Sequence, residues 1–569
     1  MKMVQIAASA CIAAFACSSS PAQTVTLPGY FVETVATGLD LPTNFAFIGD
    51  NDILVVEQWT GKVKRFLDRA YMGEVLDLTV VTSEFESGLL GIVVHPDFEE
   101  NGYVYLYYSH AEEKAGEWTD NRVERFTWTG SKLTFDSMII QFPRDESQAN
   151  VPAHNAGIMR FGPDGKLYVI TGDLYRGPFG NPRIEQNTDE TAVAGVGGIY
   201  RLNPDGAIPS DNPFFSHPDP RIRALFAYGI RNSFGMEFDP LTGRLWFTEN
   251  GPNVYDEVNI VDAGMNSGWL KIMGPDAREA AYGRNGGRSW DATDLVYLPG
   301  AFYRDPVFSW LTPIGVTAIQ FLNSRKFGPN ERNHVMVGEF NQPRGIYLFE
   351  VNAARDGFVL SGGTKDRVAD NNKERQQNVV GSNWQIITDM RIGPDGYLYI
   401  STLYQSSIFR IRPEMDPFVP ESFVVARGLA LSGDLQSLAD SDDDRLVIRP
   451  WFVLTTIEAP VQVIVEATSP VETTTELKFT LEASASIPNI MQSIELFNFT
   501  SGMYEEVDAR MAAISDSVVE LTFLADPSRF IQPGTKTMRA RLKWKEAGPI
   551  LLYPWRARVD QVIWTVRVQ

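Results

Sequence analysis

The feature that most constrains this chain is a strand pair that returns six times along it. The copies read NDILVVEQWTGKVKRF (51–66), GYVYLYYS with NRVERFTW (102–128), and GKLYVITGD with GGIYRLNPDG (165–206). They continue as GRLWFTENGP with DEVNIV (243–261), HVMVGEFNQPRGIYLFEV (334–351) and GYLYISTLYQSSIFRIRP (396–413). Each alternates apolar and polar residues with period two, the pattern of a half-buried strand. A unit this small cannot bury an apolar face by itself, so the copies must stack on one another. Six of them predict a six-bladed β-propeller over residues 24–413, because radial stacking leaves no long free sheet edge. The longest segments outside the repeat, about 207–242 and 262–333, predict loops gathered on one functional face.

The pattern breaks at RIRPEMDPFVPES (410–422) and does not return. Residues 414–422 read as a linker. Beyond them, 423–569 alternates Val, Thr, Glu and Ser in short runs such as APVQVIVEATSP and ELKFTLEASAS, which predicts a C-terminal β-sandwich-like module. That module holds no histidine and no evident catalytic cluster, so it reads as a structural part or as a contact for the cell surface or another protein. The fold class is therefore all-β, which 46 Gly, 34 Pro and 12% aromatic residues favour as well.

A formal charge of −21 argues against nucleic acid or an anionic membrane as partner, since such binders need a net basic face. Residues 1–22 place Lys2 before an apolar run and end on Ser20-Pro21-Ala22, a small-residue cleavage pattern, so they read as an export signal. Export leads to the periplasm or the cell exterior. Cys17 offers lipid anchoring as the alternative, with Phe15 standing where such sites carry a small residue. Both cysteines, Cys11 and Cys17, lie in this segment, so the processed chain has no thiol and relies on a large core and on metal ions.

Four blocks carry the chemistry: ESGLLGIVVHPDFEENGYVYLYYS (86–109), HNAGIMRFGPDGKLYVITGD (154–173), YGIRNSFGMEFDPLTGRLWFTENGP (228–252) and DEVNIVDAGMNSGW (256–269). In this order and spacing they resemble the soluble quinoprotein glucose/sorbosone dehydrogenases, which use pyrroloquinoline quinone (PQQ) on a six-bladed propeller. The resemblance implies PQQ- and Ca²⁺-dependent oxidation of an aldose or oligosaccharide at its anomeric carbon to the lactone, with an electron acceptor still to be identified. It implies His154 as the base, an imidazole suited to proton transfer near neutrality. Asp173 is implied as the acid that orients His154, and Arg231 as the cation facing the acceptor. Glu86, Arg231, Asn232 and Gln186 fall at cofactor-contacting positions. Gly251 and Pro252 match carbonyl ligands of the cofactor Ca²⁺, and Asp256 and Glu257 match a second, structural Ca²⁺ site.

Each residue also has a plainer role: His154 bonding a carbonyl at a strand start, Asp173 and Asp256 forming turns, Arg231 in a structural ion pair, Gly251-Pro252 as a simple turn. His95, His110, His217 and His334 lie outside the family's catalytic positions and read as structural.

The chain also departs from the family. Three carboxylates on PQQ require cationic or hydrogen-bonding partners when buried. Asn341, Gln342 and Pro343 stand near the family's lysine, and Ile386 and Thr388 where two arginines are expected. Arg344, Lys373, Arg375 and Arg391 are the candidate substitutes, although strand alternation turns Arg391 away from the site. These losses keep open a second function, a cofactor-less propeller binding carbohydrate or protein at the cell surface, and a third, a purely structural surface protein.

Overall fold

The computed structural model describes residues 22–82, 86–114, 116–144, 153–174, 183–281, 290–341, 344–453, 458–548 and 554–568. The expected export signal, with Cys11 and Cys17, lies almost wholly outside the described residues. Among those residues no helix is long and apolar enough to cross a membrane. The chain is nearly all β, its strands gathered into eight mostly antiparallel sheets.

Six of the sheets are built from residues 24–413. Each has one strand at its inner end: Pro42–Gly49, Leu89–Val94, Met159–Phe161, Gly235–Phe238, Val316–Phe321 and Ile387–Ile392. These strands pack on one another in order, and Ile387–Ile392 packs back on Pro42–Gly49, so the set forms a ring. The ring is closed in sequence too. Strand Tyr30–Ala36 completes the last sheet by pairing with Ser407–Pro413, Tyr30 opposite Pro413.

Apolar layers between neighbouring sheets hold the ring together. Leu54, Val56 and Val63 pack with Ile92, Val104 and Leu106, while Ala318 and Met336 pack with Ile387 and Ile400. Each such side chain contributes about 1.5–3 kcal/mol on full burial. A sheet covered on both faces needs apolar residues on both, and Asp52–Glu57 (DILVVE) is buried at every position. The strict alternation expected from the sequence is therefore lost in the second strands. The remaining histidines make local contacts: His95 accepts from the Asp97 N–H, His217 from the Asp219 N–H and His334 from the Val351 N–H, while His110 bonds the Thr119 hydroxyl.

Residues 415–567 form the other two sheets. Val461–Thr468 alternates buried and part-buried positions, and its Val461, Val463 and Val465 join Phe479, Leu481, Trp544, Trp555 and Trp564 in one core shared by both sheets. The segment 414–422, expected as a linker, contributes strand Met415–Phe418, paired with Ala557–Arg567 so that Phe418 lies opposite Trp564. Lys326 bonds Asp416, and Arg325 pairs with Asp440, tying the two parts of the chain together.

Candidate functional site

The starts of the six inner strands surround a cavity of about 230 Å³. Thr43, Leu90, Val316 and Ile387 line it from four of these strands, and Ile158 and Phe234 from the residues just ahead of the other two. His154, Glu86, Arg231 and Asn232 line one side of the same space. Four residues expected from the sequence at a catalytic site therefore do converge.

The convergence has a local cause. A β-carbon on Gly172 would lie 2.2 Å from the His154 carbonyl oxygen and 2.6 Å from that of Arg231, so only glycine lets the two backbones meet here. The next residue, Asp173, donates its backbone N–H to the Arg231 carbonyl at 2.9 Å. Its side chain accepts from two groups: Oδ1 lies 2.7 Å from His154 Nδ1, and Oδ2 receives Trp269 Nε1–H at 2.8 Å. With the Asp173 carboxylate on Nδ1, that nitrogen carries the ring proton and Nε2 is the basic one. Asp173 is 1% exposed and does not line the cavity; it acts from behind His154.

His154 sits at φ 55° and Ala156 at φ 52°, a left-handed backbone that non-glycine residues seldom adopt. Such strain, of order 1–3 kcal/mol per residue, persists only where surrounding bonds impose it. Here Glu86 Oε2 accepts the His154 N–H at 2.6 Å, Asn232 Oδ1 accepts the Ala156 N–H at 3.2 Å, and the Tyr107 hydroxyl donates to the Asn155 carbonyl at 2.8 Å. Asn232 also donates to Glu86 at 3.2 Å. Glu86 and Asn232, expected as cofactor contacts, thus also hold the loop that carries the base.

Arg231 donates from Nη1 to the Asn250 carbonyl at 2.9 Å and lies 5.5 Å over the Trp269 ring. Its backbone N–H is received by the buried Glu249. Burial, with Glu257 nearby, raises the Glu249 carboxyl well above the usual range. Nothing in the sequence singles out Glu249, Asn250 and Trp269, because only the fold brings them to Arg231 and Asp173.

The expected metal ligands have mixed standing. The Gly251 N–H donates to Asp256 at 2.9 Å, and a β-carbon on Gly251 would lie 2.1 Å from the Tyr255 carbonyl oxygen. Asp256 also accepts from the Gly315 and Val316 N–H groups, so its carboxylate joins two segments at the cavity rim. Glu257 accepts from Asn259 and from the Gly274 backbone. Burial pushes Asp256 up to about 6 and Glu257 up to about 7. Among the described residues no third acid joins these two at cation-sharing distance. Gln186 is wholly buried outside the cavity lining, and neither atom of its amide has a partner.

The residues fit PQQ unequally at its two ends. Buried Asn250 Oδ1 and Thr317 Oγ1, both in lining residues, have no partner within the protein and suit a polar ligand beside Arg231. Phe340, Ile386 and Leu403 form an apolar part of the wall, and Thr388 donates away to the Pro42 carbonyl. Arg231 is the one cation lining the cavity among the described residues. The candidate substitutes are engaged elsewhere: Arg391 with Asp389 and Asn44, Arg375 with Glu339 and Tyr347, Arg344 with Gln385, while Lys373 is exposed. Gln342 and Pro343 lie outside the described residues.

Comparison with known proteins finds relatives for the N-terminal part of the chain. Over 375 residues the chain is 28% identical to aldose sugar dehydrogenase YliI of Escherichia coli (strain K12), covering 65% of this chain and 89% of that protein. It is 28% identical over 264 residues to quinoprotein glucose dehydrogenase B of Acinetobacter calcoaceticus, covering 42% and 52% of the two chains. The crystal structure of the soluble aldose sugar dehydrogenase from Escherichia coli in its apo form superimposes with a TM-score of 0.50 at 27% identity, over 68% of this chain and 99% of that one. Residues 39–410 match the glucose/sorbosone dehydrogenase family as a whole, and the chain belongs to that family.

Proposed function

We propose that residues 24–413 form a six-bladed propeller, that 423–569 form an appended β-sandwich, and that the axial cavity oxidises an aldose at its anomeric carbon to the lactone. The observation that carries the reading is the His154–Asp173 pair meeting Arg231 at one side of a single cavity. His154 Nε2 takes the proton of the anomeric hydroxyl, and the Asp173 carboxylate, 2.7 Å from Nδ1, stabilises the imidazolium that results. The hydrogen on the anomeric carbon leaves with its electron pair, so the sugar loses two electrons and one proton to an acceptor and one proton to His154. When bound, PQQ supplies that hydride acceptor. Arg231, Asn232 and Asn250 are the residues that would hold its quinone end, and the Gly251 and Pro252 carbonyls those that would hold its Ca²⁺. Leu90, Ile158, Phe340 and Leu403 give the cavity an apolar wall, which lowers the local polarity and strengthens charge interactions beside it.

The family membership and the two dehydrogenase relatives support this reading. The apolar wall at Phe340, Ile386 and Leu403 favours one rival, a binding protein for carbohydrate or protein that holds no cofactor. Steady-state dye reduction with a panel of aldoses, after adding PQQ and Ca²⁺, separates the two. Turnover that disappears in His154→Gln supports the enzyme. Saturable sugar binding with no dye reduction, equal in both proteins, supports the binder.

A further inference from the structure

The C-terminal module, which looks chemically bland in sequence, brings three distant carboxylates together. Asp443 lies on the loop before strand Leu446–Arg449, Asp516 immediately precedes strand Ser517–Phe523, and Asp560 belongs to strand Ala557–Arg567. One oxygen of each lies within 4.8 Å of the other two. Asp560 is 2% exposed, and its buried Oδ1 has no hydrogen-bond partner. Its Oδ2 receives the Asp443 N–H at a long 3.4 Å. Arg445 pairs with Asp443 and Asp516 but makes neither hydrogen bond nor ion pair with Asp560. One guanidinium among three carboxylates leaves an excess of negative charge around a buried, unpartnered oxygen.

We propose that Asp443, Asp516 and Asp560 bind one Ca²⁺ ion. Oxygen ligands at about 2.3–2.6 Å from Ca²⁺ lie on a sphere about 5 Å across, so oxygens no more than 4.8 Å apart can share a single ion, with water filling the remaining positions. A donor set made only of oxygens disfavours the softer transition metals. The ion gives Asp560 the partner that Arg445 does not reach.

Occupancy has a structural consequence. The loop that carries Asp443 also carries Asp440, which receives Arg325 Nε–H at 2.9 Å and lies 3.5 Å from Arg332, both in the N-terminal part of the chain. Ca²⁺ therefore fixes one of the loops that tie the two parts together.

The test uses the full chain stripped with EDTA, without quinone, so its result is independent of the catalytic reading. The Asp443 side chain is 80% exposed, so Asp443→Asn leaves the fold intact. Asp560→Asn is the second variant. Calorimetric titration with Ca²⁺ should find one more ion per chain in the wild type than in either variant. Saturating Ca²⁺ should raise the unfolding temperature of the wild type by about 5–10 °C for a module of this size, with that increment lost in both variants and not reproduced by Mg²⁺. Equal stoichiometry and equal Ca²⁺-dependent stabilisation in wild type and Asp443→Asn would overturn the proposal and leave the cluster as an Arg445 ion-pair network.

Discussion

Replacing Asp173 with asparagine removes the charge behind His154 while keeping the side chain's shape. In the native site both carboxylate oxygens accept, one at 2.7 Å from His154 Nδ1 and the other from Trp269 Nε1–H at 2.8 Å. Asparagine has one acceptor and one donor. If its carbonyl stays with Trp269, its NH₂ donates to Nδ1, the ring proton moves to Nε2, and the nitrogen that should take the sugar's proton already holds one. Losing a positioned base costs about 10²–10⁴-fold in rate, or about 3–5 kcal/mol in barrier. The fold should lose far less, because both neighbours keep a partner: about 1 kcal/mol, a shift of about 2–4 °C. Initial rates of aldose oxidation and a thermal melt measure the two effects separately. A rate within tenfold of wild type would refute the role given to Asp173. So would a rate loss accompanied by a drop of more than about 10 °C, since the pair would then be chiefly structural.

Arg231, the apolar wall and the buried acids can each be probed in turn. Arg231→Met should lower kcat by about 10²–10³-fold with KM for the sugar little changed, as expected for a group that acts on developing charge; a change confined to KM would contradict it. Ile386→Arg puts a cation into the apolar wall, and one charged hydrogen bond of about 1.5–3 kcal/mol should tighten PQQ by about 10–100-fold; unchanged affinity would show that no carboxylate lies there. In EDTA, stability should fall as pH rises from about 4 to 7. Asp256 and Glu257 have folded values of about 6 and 7, above their unfolded ones, so between about pH 4 and 7 the native state binds more protons than the unfolded one, and the stability present below that range is lost through it. For Asp256 alone the change is about 3 kcal/mol, and denaturant titrations with Glu257→Gln should show a shallower decline than wild type.

Much of the N-terminal fold was legible because a repeated strand pair leaves its period in the sequence. GRLWFTENGP, for instance, contains strand Leu245–Glu249, and GYLYIST contains Leu398–Thr402. The site was legible where one short block carries both partners, as with His154 and Asp173 on either side of a single hairpin. It was not legible where partners meet only through the fold. Trp269 comes from the insertion expected to supply loops over the site, yet its indole N–H ends on Asp173, 96 residues earlier. Asp256 looked like a metal ligand by position, and only the arrival of Gly315 and Val316 shows its carboxylate engaged by backbone N–H groups. Met415–Phe418 looked like linker because Pro417 interrupts the pattern; its pairing with Trp564 lies far away in sequence. Asp443, Asp516 and Asp560 were invisible for the same reason.

In the proposed reaction the cavity beside His154 passes electrons from a sugar to a bound quinone. A single-turnover experiment tests it most directly: one equivalent of PQQ with Ca²⁺ is mixed with the protein, excess quinone is removed, and the quinone absorbance is followed after an aldose is added without any dye. One quinone per chain should be reduced in the wild type and none on the same timescale in His154→Gln. A wild-type protein that retains no quinone, or retains it without reduction by any aldose, would contradict it.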